Sequence, residues 1–193
     1  MIDFEIAYSL FDLARRNQYY LRVHMQCGPY LESNRNAIVK GFLKSDCEWL
    51  FFWDTDLVFD GNDFFSKLIE TSRKLNAPVV GIPYRMKNDS GQYVACRNED
   101  GALKNYVIGE LKEPMLVENT GNGSMLIHRS VFLDKDLEKP YFQTIQSEDG
   151  GEWPEDWRFC SNVKKIGYQI AIDPRIKSSH YAPKAWVHEY EKT

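Results

Sequence analysis

Asp54-Thr55-Asp56 is the first constellation in this chain whose residue types and spacing suit chemistry. The two aspartates follow the apolar run Trp49-Leu50-Phe51-Phe52-Trp53 directly. They therefore stand at the carboxyl end of an expected central strand, beyond which ligands bind in open α/β sheets. In an extended chain, side chains two apart point the same way and lie about 6–7 Å from each other. Two carboxylates so placed repel by roughly 3 kcal/mol at an effective dielectric of 20. A divalent cation turns that repulsion into attraction, and hard oxygen ligands suit Mg²⁺ or Mn²⁺. The competing reading is a pair of strand-end aspartates that make turn bonds or cap a helix starting near residue 61. Spacing alone does not decide: with 14 Asp in the chain, about one Asp-x-Asp is expected by chance. A second one, Asp134-Lys135-Asp136, reads as solvated charge at a helix end.

Three further groups join this pair. Glu155-Asp156 lies between Trp153 and Trp157 at an expected helix start. Acidic residues there either complement the helix dipole or, if partly desolvated, gain a proton affinity suited to a general base. His180 becomes a candidate only beside two carboxylates, where a neutral imidazole completes a mixed N/O site that favours Mn²⁺ over Ca²⁺. Gly121-Asn122-Gly123-Ser124 precedes an apolar strand, and its glycines allow either a close backbone approach to a ligand or an ordinary turn. Arg35, with Asn36, sits near an expected helix start where phosphate binds well.

The elements that must position these residues alternate between helix and strand. Residues 3–16 repeat apolar side chains at helical spacing, and residues 20–25 read as a strand ending before Gly28-Pro29. Residues 33–44 form a helix with Ala37, Ile38, Phe42 and Leu43 on its apolar stripe and Ser33 or Asn34 as N-cap. Trp49–Trp53 is a strand buried on both faces. A helix over 61–75 turns Phe64, Phe65, Leu68, Ile69 and Leu75 inward, and residues 77–82 form a strand stopped by Pro83. Residues 93–97 and 103–107 flank Asn98-Glu99-Asp100-Gly101, which is good hairpin chemistry. Ser124–His128 is a strand, residues 154–166 a helix opening with Pro154, and residues 169–172 a strand closed by Asp173-Pro174. The pattern is an α/β core over roughly the first 85 residues with an α+β second half folded onto it.

The chain has 193 residues, 43% of them hydrophobic and 14% aromatic, with a net charge of −4. That excludes disordered, collagen-like and disulfide-scaffold classes, and a broad nucleic-acid face is not expected. No run of 18 apolar residues forms a membrane span, and the first residues lack the pattern of a secretory signal. Cys27, Cys47, Cys96 and Cys160 form no C-x-x-C pair, which favours reduced thiols serving as small core hydrophobes in a cytoplasmic protein.

Taken in order, these segments resemble the small metal-dependent GT-A-fold glycosyltransferases of bacterial and viral type. Four segments carry the resemblance: Glu32-Ser33-Asn34-Arg35-Asn36, the strand with Asp54-Thr55-Asp56, the stretch from Asn119 through Gly121-Asn122-Gly123 to Arg129, and Glu155-Asp156 with Phe159-Cys160, Gly167-Tyr168, Asp173-Pro174 and His180. The resemblance implies a GT-A-like (Rossmann-like) mixed sheet with flanking helices. It implies one domain over residues 1–193, with a nucleotide-sugar half to residue 85 and an acceptor half beyond, which supplies the C-terminal metal ligand. It further implies a hexosyl- or pentosyltransferase that uses a nucleotide-sugar donor, a UDP-sugar in the first instance, with Mn²⁺ or Mg²⁺.

Under this resemblance Asp54 and Asp56 hold the metal and the donor, with Thr55 between them, and His180 is the third protein ligand. Asp156, with Glu155 beside it, takes the proton of the acceptor hydroxyl, and the outcome is inversion. Arg35 lies near the nucleotide, and Gly121, Asn122 and Gly123 line the donor pocket. The acceptor is a glycan, a protein side chain or a hydroxymethylated DNA base, the last needing a basic patch from Lys164, Lys165, Arg175, Lys177 and Lys184. Two alternatives stay open: a nucleotide- or sugar-binding module without catalysis, and a metal-dependent nucleotidyltransferase, against which the lack of an early glycine-rich loop counts.

Overall fold

A computed structural model describes Leu13, Arg15 and residues 20–61, 63–88, 90–146 and 150–181. The helix expected over 3–16 falls outside the described residues except for Leu13 and Arg15, both helical. The first half runs α1 (Leu31–Leu43), β1 (Trp49–Trp53), β2 (Leu57–Phe59), α2 (Phe64–Leu75) and β3 (Val79–Gly81). The second half opens with the hairpin strands β4 (Gln92–Glu99) and β5 (Ala102–Val107), then β6 (Met115–Val117), β7 (Asn119–Thr120), β8 (Ser124–His128) and α3 (Arg129–Leu133). It ends with β9 (Ile145–Gln146), β10 (Glu152–Trp153), α4 (Glu155–Lys165), β11 (Ile170–Ile172) and β12 (Ser178–His180).

The main sheet has the order β1-β8-β3-β11-β6. It is mixed: β3 and β11 are parallel, and the other neighbours are antiparallel. β4 pairs with β5 and β7 in a second sheet, and β12 pairs with β2 in a short ribbon. The hairpin turn follows the sequence: Asp100 and Gly101 both take positive φ, 53° and 87°, as a tight two-residue hairpin loop requires.

Alternation along β1 splits the core in two. Phe52 packs with Val39, Phe42, Met125, Phe142 and Phe159, while Trp49, Phe51 and Trp53 pack on the other face with Phe59, Phe64 and Leu68. Both faces are covered, as the apolar run implies. Among the described residues, however, β1 is an edge strand rather than a central one, and only Phe52 in it is fully buried.

Four other expectations need correction. Residues 20–25 form no strand; Leu21 alone is half-buried against the second core cluster and the rest are exposed, because their apolar residues alternate with Arg22 and His24 and pair with no strand among the described residues. Cys27 is exposed in the same segment, although Cys96 and Cys160 are buried and all four thiols are free. The first helix starts at Leu31 with Tyr30 as N-cap and no side-chain cap; Asn34 Nδ2 instead donates to the Gly28 carbonyl at 3.0 Å. The buried ridge of α1 is Arg35, Val39 and Phe42, at i, i+4 and i+7, and Ala37 faces out.

Two arginines fasten this frame. Arg129 donates to the carbonyls of Phe42, Leu43, Ser45 and Cys47, satisfying the orphan acceptors at the end of α1. Arg175 and Thr71 both donate to the fully buried carboxylate of Asp173, joining α2 to the end of β11. No helix of the described residues is long and apolar enough to cross a membrane.

Candidate active site

Asp54 and Asp56 lie in a turn between β1 and β2, not in extended chain, and Leu57 N donates to the Asp54 carbonyl at 3.1 Å. The same-side geometry expected of a strand therefore does not hold, and each carboxylate has its own partners. Neither caps α2, whose N-cap residue is Asp63. Thr55 is exposed between them. Asp134 and Asp136 make a local turn after α3, with Asp136 N donating to Asp134 Oδ1 at 3.0 Å.

The Asp54 side is built around Arg35, whose side chain is 5% exposed. Arg35 Nη2 donates to Asp54 Oδ2 at 3.3 Å, and Nη1 donates to the Asn122 carbonyl at 3.2 Å. Nε stands 3.2 Å from Glu155 Oε1, a charge contact without hydrogen-bond alignment. The guanidinium also covers the Phe52 ring, 5.4 Å from its centroid. Arg35 was expected to meet phosphate; in this arrangement it is spent on protein groups instead.

The Asp56 side is placed by the β2–β12 ribbon, whose register sets His180 opposite Leu57. His180 Nε2 comes within 3.6 Å of Asp56 Oδ2. Its Nδ1 lies 2.7 Å from the Arg85 carbonyl, which can only accept, so Nδ1 carries a proton and Nε2 is the ring nitrogen turned toward Asp56. Lys87 Nζ contacts the same Asp56 oxygen.

The chain thus joins one predicted ligand pair, Asp56 with His180, while Asp54 is held by Arg35. Among the described residues, no three His, Cys, Asp or Glu side chains stand together as a metal-binding group. The donor set nevertheless suits a hard or borderline divalent ion. An imidazole nitrogen and a carboxylate oxygen 3.6 Å apart are donors of the kind a divalent ion takes, and such an ion would displace Lys87 from Asp56 and compete with Arg35 for Asp54. Two oxygens and one nitrogen are ligands of the type Mn²⁺ accepts.

Asp156 opens α4 and is half-buried, whereas Glu155 is buried. Burial, then the adjacent Glu155 charge, push the Asp156 carboxyl up to about 6, although the Trp157 amide and Arg35 act the other way. The desolvating wall is not Trp153, which is 38% exposed. Asp156 perturbs the protonation of Tyr84, Cys96 and Cys160, which places it among them.

Tyr84 is the residue that sequence reasoning passed over. Its hydroxyl accepts from Gly123 N at 3.3 Å, and its ring stands edge-on to His180 with centroids 5.0 Å apart. Burial, then the charges of Asp54 and Asp156, raise its proton affinity. A Cβ on Gly121 would lie 2.3 Å from the Tyr84 hydroxyl, and one on Gly123 would lie 2.9 Å from both that hydroxyl and Asp54 Oδ2. The glycines therefore make room for protein groups of the site. Between them, Asn122 is buried with neither side-chain polar atom hydrogen-bonded. The available signal for Tyr84 was its place just beyond β3, the same strand-end logic that singled out Asp54.

Two of the residues that a DNA-binding patch would need are already paired with protein carboxylates. Lys164 pairs with Glu118 and Arg175 with Asp173 and Glu70, while Lys184 lies outside the described residues.

No protein-family model matches this sequence, and no curated protein does. Solved structures do. The crystal structure of A197 from STIV matches with a TM-score of 0.61 and 22% identity, over 83% of this chain and 72% of that one. GalNAc-T7, crystallised with UDP, GalNAc and Mn²⁺, matches with a TM-score of 0.53 and 18% identity, over 81% of this chain and 31% of that one. The fold is α/β, a mixed sheet with flanking helices, similar to GT-A glycosyltransferase structures.

Proposed function

We propose that this chain is a glycosyltransferase that moves a sugar from a nucleotide-sugar donor, a UDP-sugar in the first instance, to an acceptor hydroxyl. The supporting observation is convergence: the Asp54–Asp56 turn, Asp156 and His180 come from three places in the sequence and meet around Tyr84 and the Gly121–Gly123 turn. GalNAc-T7, which shares the fold, was crystallised with UDP and Mn²⁺. In this reading the chain works as one domain, with a donor half to residue 85 and an acceptor half beyond.

Asp56 and His180, with Asp54 across the turn, would hold Mn²⁺ or Mg²⁺. When bound, the ion would neutralise the charge of the departing diphosphate. Asp156 accepts the proton of the acceptor hydroxyl. Its proton affinity, raised to about 6, leaves it ionised near pH 7 yet basic enough to draw the proton in the transition state. Attack by that hydroxyl opposite the leaving diphosphate inverts the anomeric carbon. A DNA acceptor loses support, because Lys164 and Arg175 already neutralise protein carboxylates.

The test is a donor screen that follows sugar release from UDP-sugars with Mn²⁺. Turnover that disappears in EDTA and in Asp156→Asn is the expected result. Tight UDP–Mn²⁺ binding with no turnover on any donor or acceptor would instead make the chain a binding module.

A further inference from the structure

We infer that Arg35 is a positioning residue: by tying Asp54 to Glu155, it fixes Glu155 as a buried, paired charge and leaves Asp156 as the lone proton acceptor. The inference rests on the proposed glycosyl transfer and divides the labour within the Glu155-Asp156 pair.

The geometry is that of a three-way strut. Arg35 reaches Asp54 at the end of β1, the Asn122 carbonyl in the turn before β8, and Glu155 in the first turn of α4. These contacts span sequence separations of 19 and 87 residues for the two hydrogen bonds, so one side chain joins the metal side of the site to the helix that carries the base. Only a planar, forked cation can face three acceptors at once; a lysine ammonium on the same stem would lose at least one of them. Glu155 is 11% exposed at its side chain, and a buried carboxylate is held in place by its counter-charge. Asp156, next along the helix, is half-buried and has its backbone neighbour Trp157 N as its hydrogen-bond donor, at 2.8 Å.

The charges around Asp156 agree with this division. Glu155 on the same helix turn raises its proton affinity, and Arg35 from α1 lowers it. The groups facing it from the remaining elements are the Tyr84 phenol beyond β3, the Cys96 thiol on β4 and the Cys160 thiol one helical turn on. All three are driven toward their neutral forms by burial. Burial sets most of the Asp156 proton affinity, and Glu155 and Arg35 are the charged side chains that adjust it in opposite directions.

The experiment titrates the carboxyl groups of the full chain without added metal by carbon NMR, beside the pH profile of donor hydrolysis with Mn²⁺. The wild-type Asp156 midpoint is expected near 6. Glu155→Gln should lower it by about one pH unit and move the acid limb of kcat with it, and Arg35→Met should raise it by less. Glu155→Gln should keep kcat at pH 8 within about tenfold, whereas Asp156→Asn loses more than about a hundredfold. Arg35→Lys should fail to restore the wild-type midpoint. If Arg35→Met does not fold, Arg35→Met with Glu155→Met removes both charges together, and the midpoint should then lie nearer wild type than in Glu155→Gln. An unmoved midpoint in Glu155→Gln, or a loss of kcat equal to that of Asp156→Asn, overturns the inference. Full activity in Asp156→Asn also overturns it, whereas no turnover by the wild-type chain on any donor overturns the proposed function instead, and the titration still reports on the strut.

Discussion

The two halves of the candidate site are built on opposite plans. Around Asp54, one covered guanidinium is locked to three elements, and its side chain is 5% exposed. Around Asp56, the neighbours are an ammonium 41% exposed and an imidazole on a ribbon outside the main sheet. In the first half, Arg35 and Glu155 are desolvated and must stay paired, so removing one leaves the other stranded, while the Asp54 carboxylate itself is 41% exposed. In the second, Lys87 and Asp56 are 41% and 37% exposed, so solvent screens their contact and the ammonium can be exchanged at little energetic cost, while His180 is held by its own packing, 13% exposed. A cation from solution can therefore compete for Asp56 and His180 far more readily than for the Arg35 contacts. The rigid half holds the base in place, and the open half is where an ion and its diphosphate would enter.

Asp156→Asn should have the largest effect. Transfer should fall by about 10²- to 10⁴-fold, while the fold gains stability. The folded Asp156 holds its proton up to about 6 against an ordinary 3.8. Stability therefore falls as pH rises through that window, and the penalty is complete above it; the variant should be more stable by about 1–3 kcal/mol at pH 8. Equal melting temperatures for the two proteins at pH 8 would contradict the desolvated environment of this carboxyl.

The comparison itself is broken or sharpened by a matched pair. Glu155→Ala should destabilise the protein by about 3 kcal/mol in urea unfolding, through the orphaned guanidinium. His180→Ala should cost under about 1 kcal/mol and yet abolish Mn²⁺ binding measured by calorimetry. Similar stability losses in both would mean that the halves do not differ.

Gly121→Ala comes next. Its methyl would stand 2.3 Å from the Tyr84 hydroxyl and 2.6 Å from Val94 Cγ1, which should destabilise by about 1–3 kcal/mol. Tyr84→Phe in the same chain should restore part of the loss, as read by melting temperature. The smallest effect is expected from Lys87→Met, which frees Asp56 of its ammonium partner and should tighten Mn²⁺ by about threefold, the worth of an exposed ion pair.

The elements that showed plainly in the sequence are those whose pattern is local. The β4–β5 hairpin follows from Asp100-Gly101, and α2 from its apolar spacing. Residues 20–25 misled because apolar residues in a short run satisfy a strand pattern without a partner strand to complete it. Arg35 was visible as a candidate, but its contacts with Asp54, Asn122 and Glu155 were not. It occupies the i position of a ridge continued by Val39 and Phe42, and helical periodicity read on apolar residues alone skips a buried cation. Tyr84 went unseen for a related reason: an aromatic beyond a strand looks like core until its hydroxyl is found under two glycines.

Residue types and their order settled that this chain alternates helix and strand, ends a strand in a carboxylate pair and starts a late helix with another. Those are consequences of backbone preference and hydrophobic spacing, which act over a few residues. Which carboxylate faces solvent, which is paired, and which imidazole stands beside it were decided only by the packing of β12 on β2 and of α1 against the turn at residue 122. Electrostatic energy depends on distances and desolvation between groups far apart in the chain, and those exist only once the sheet has closed.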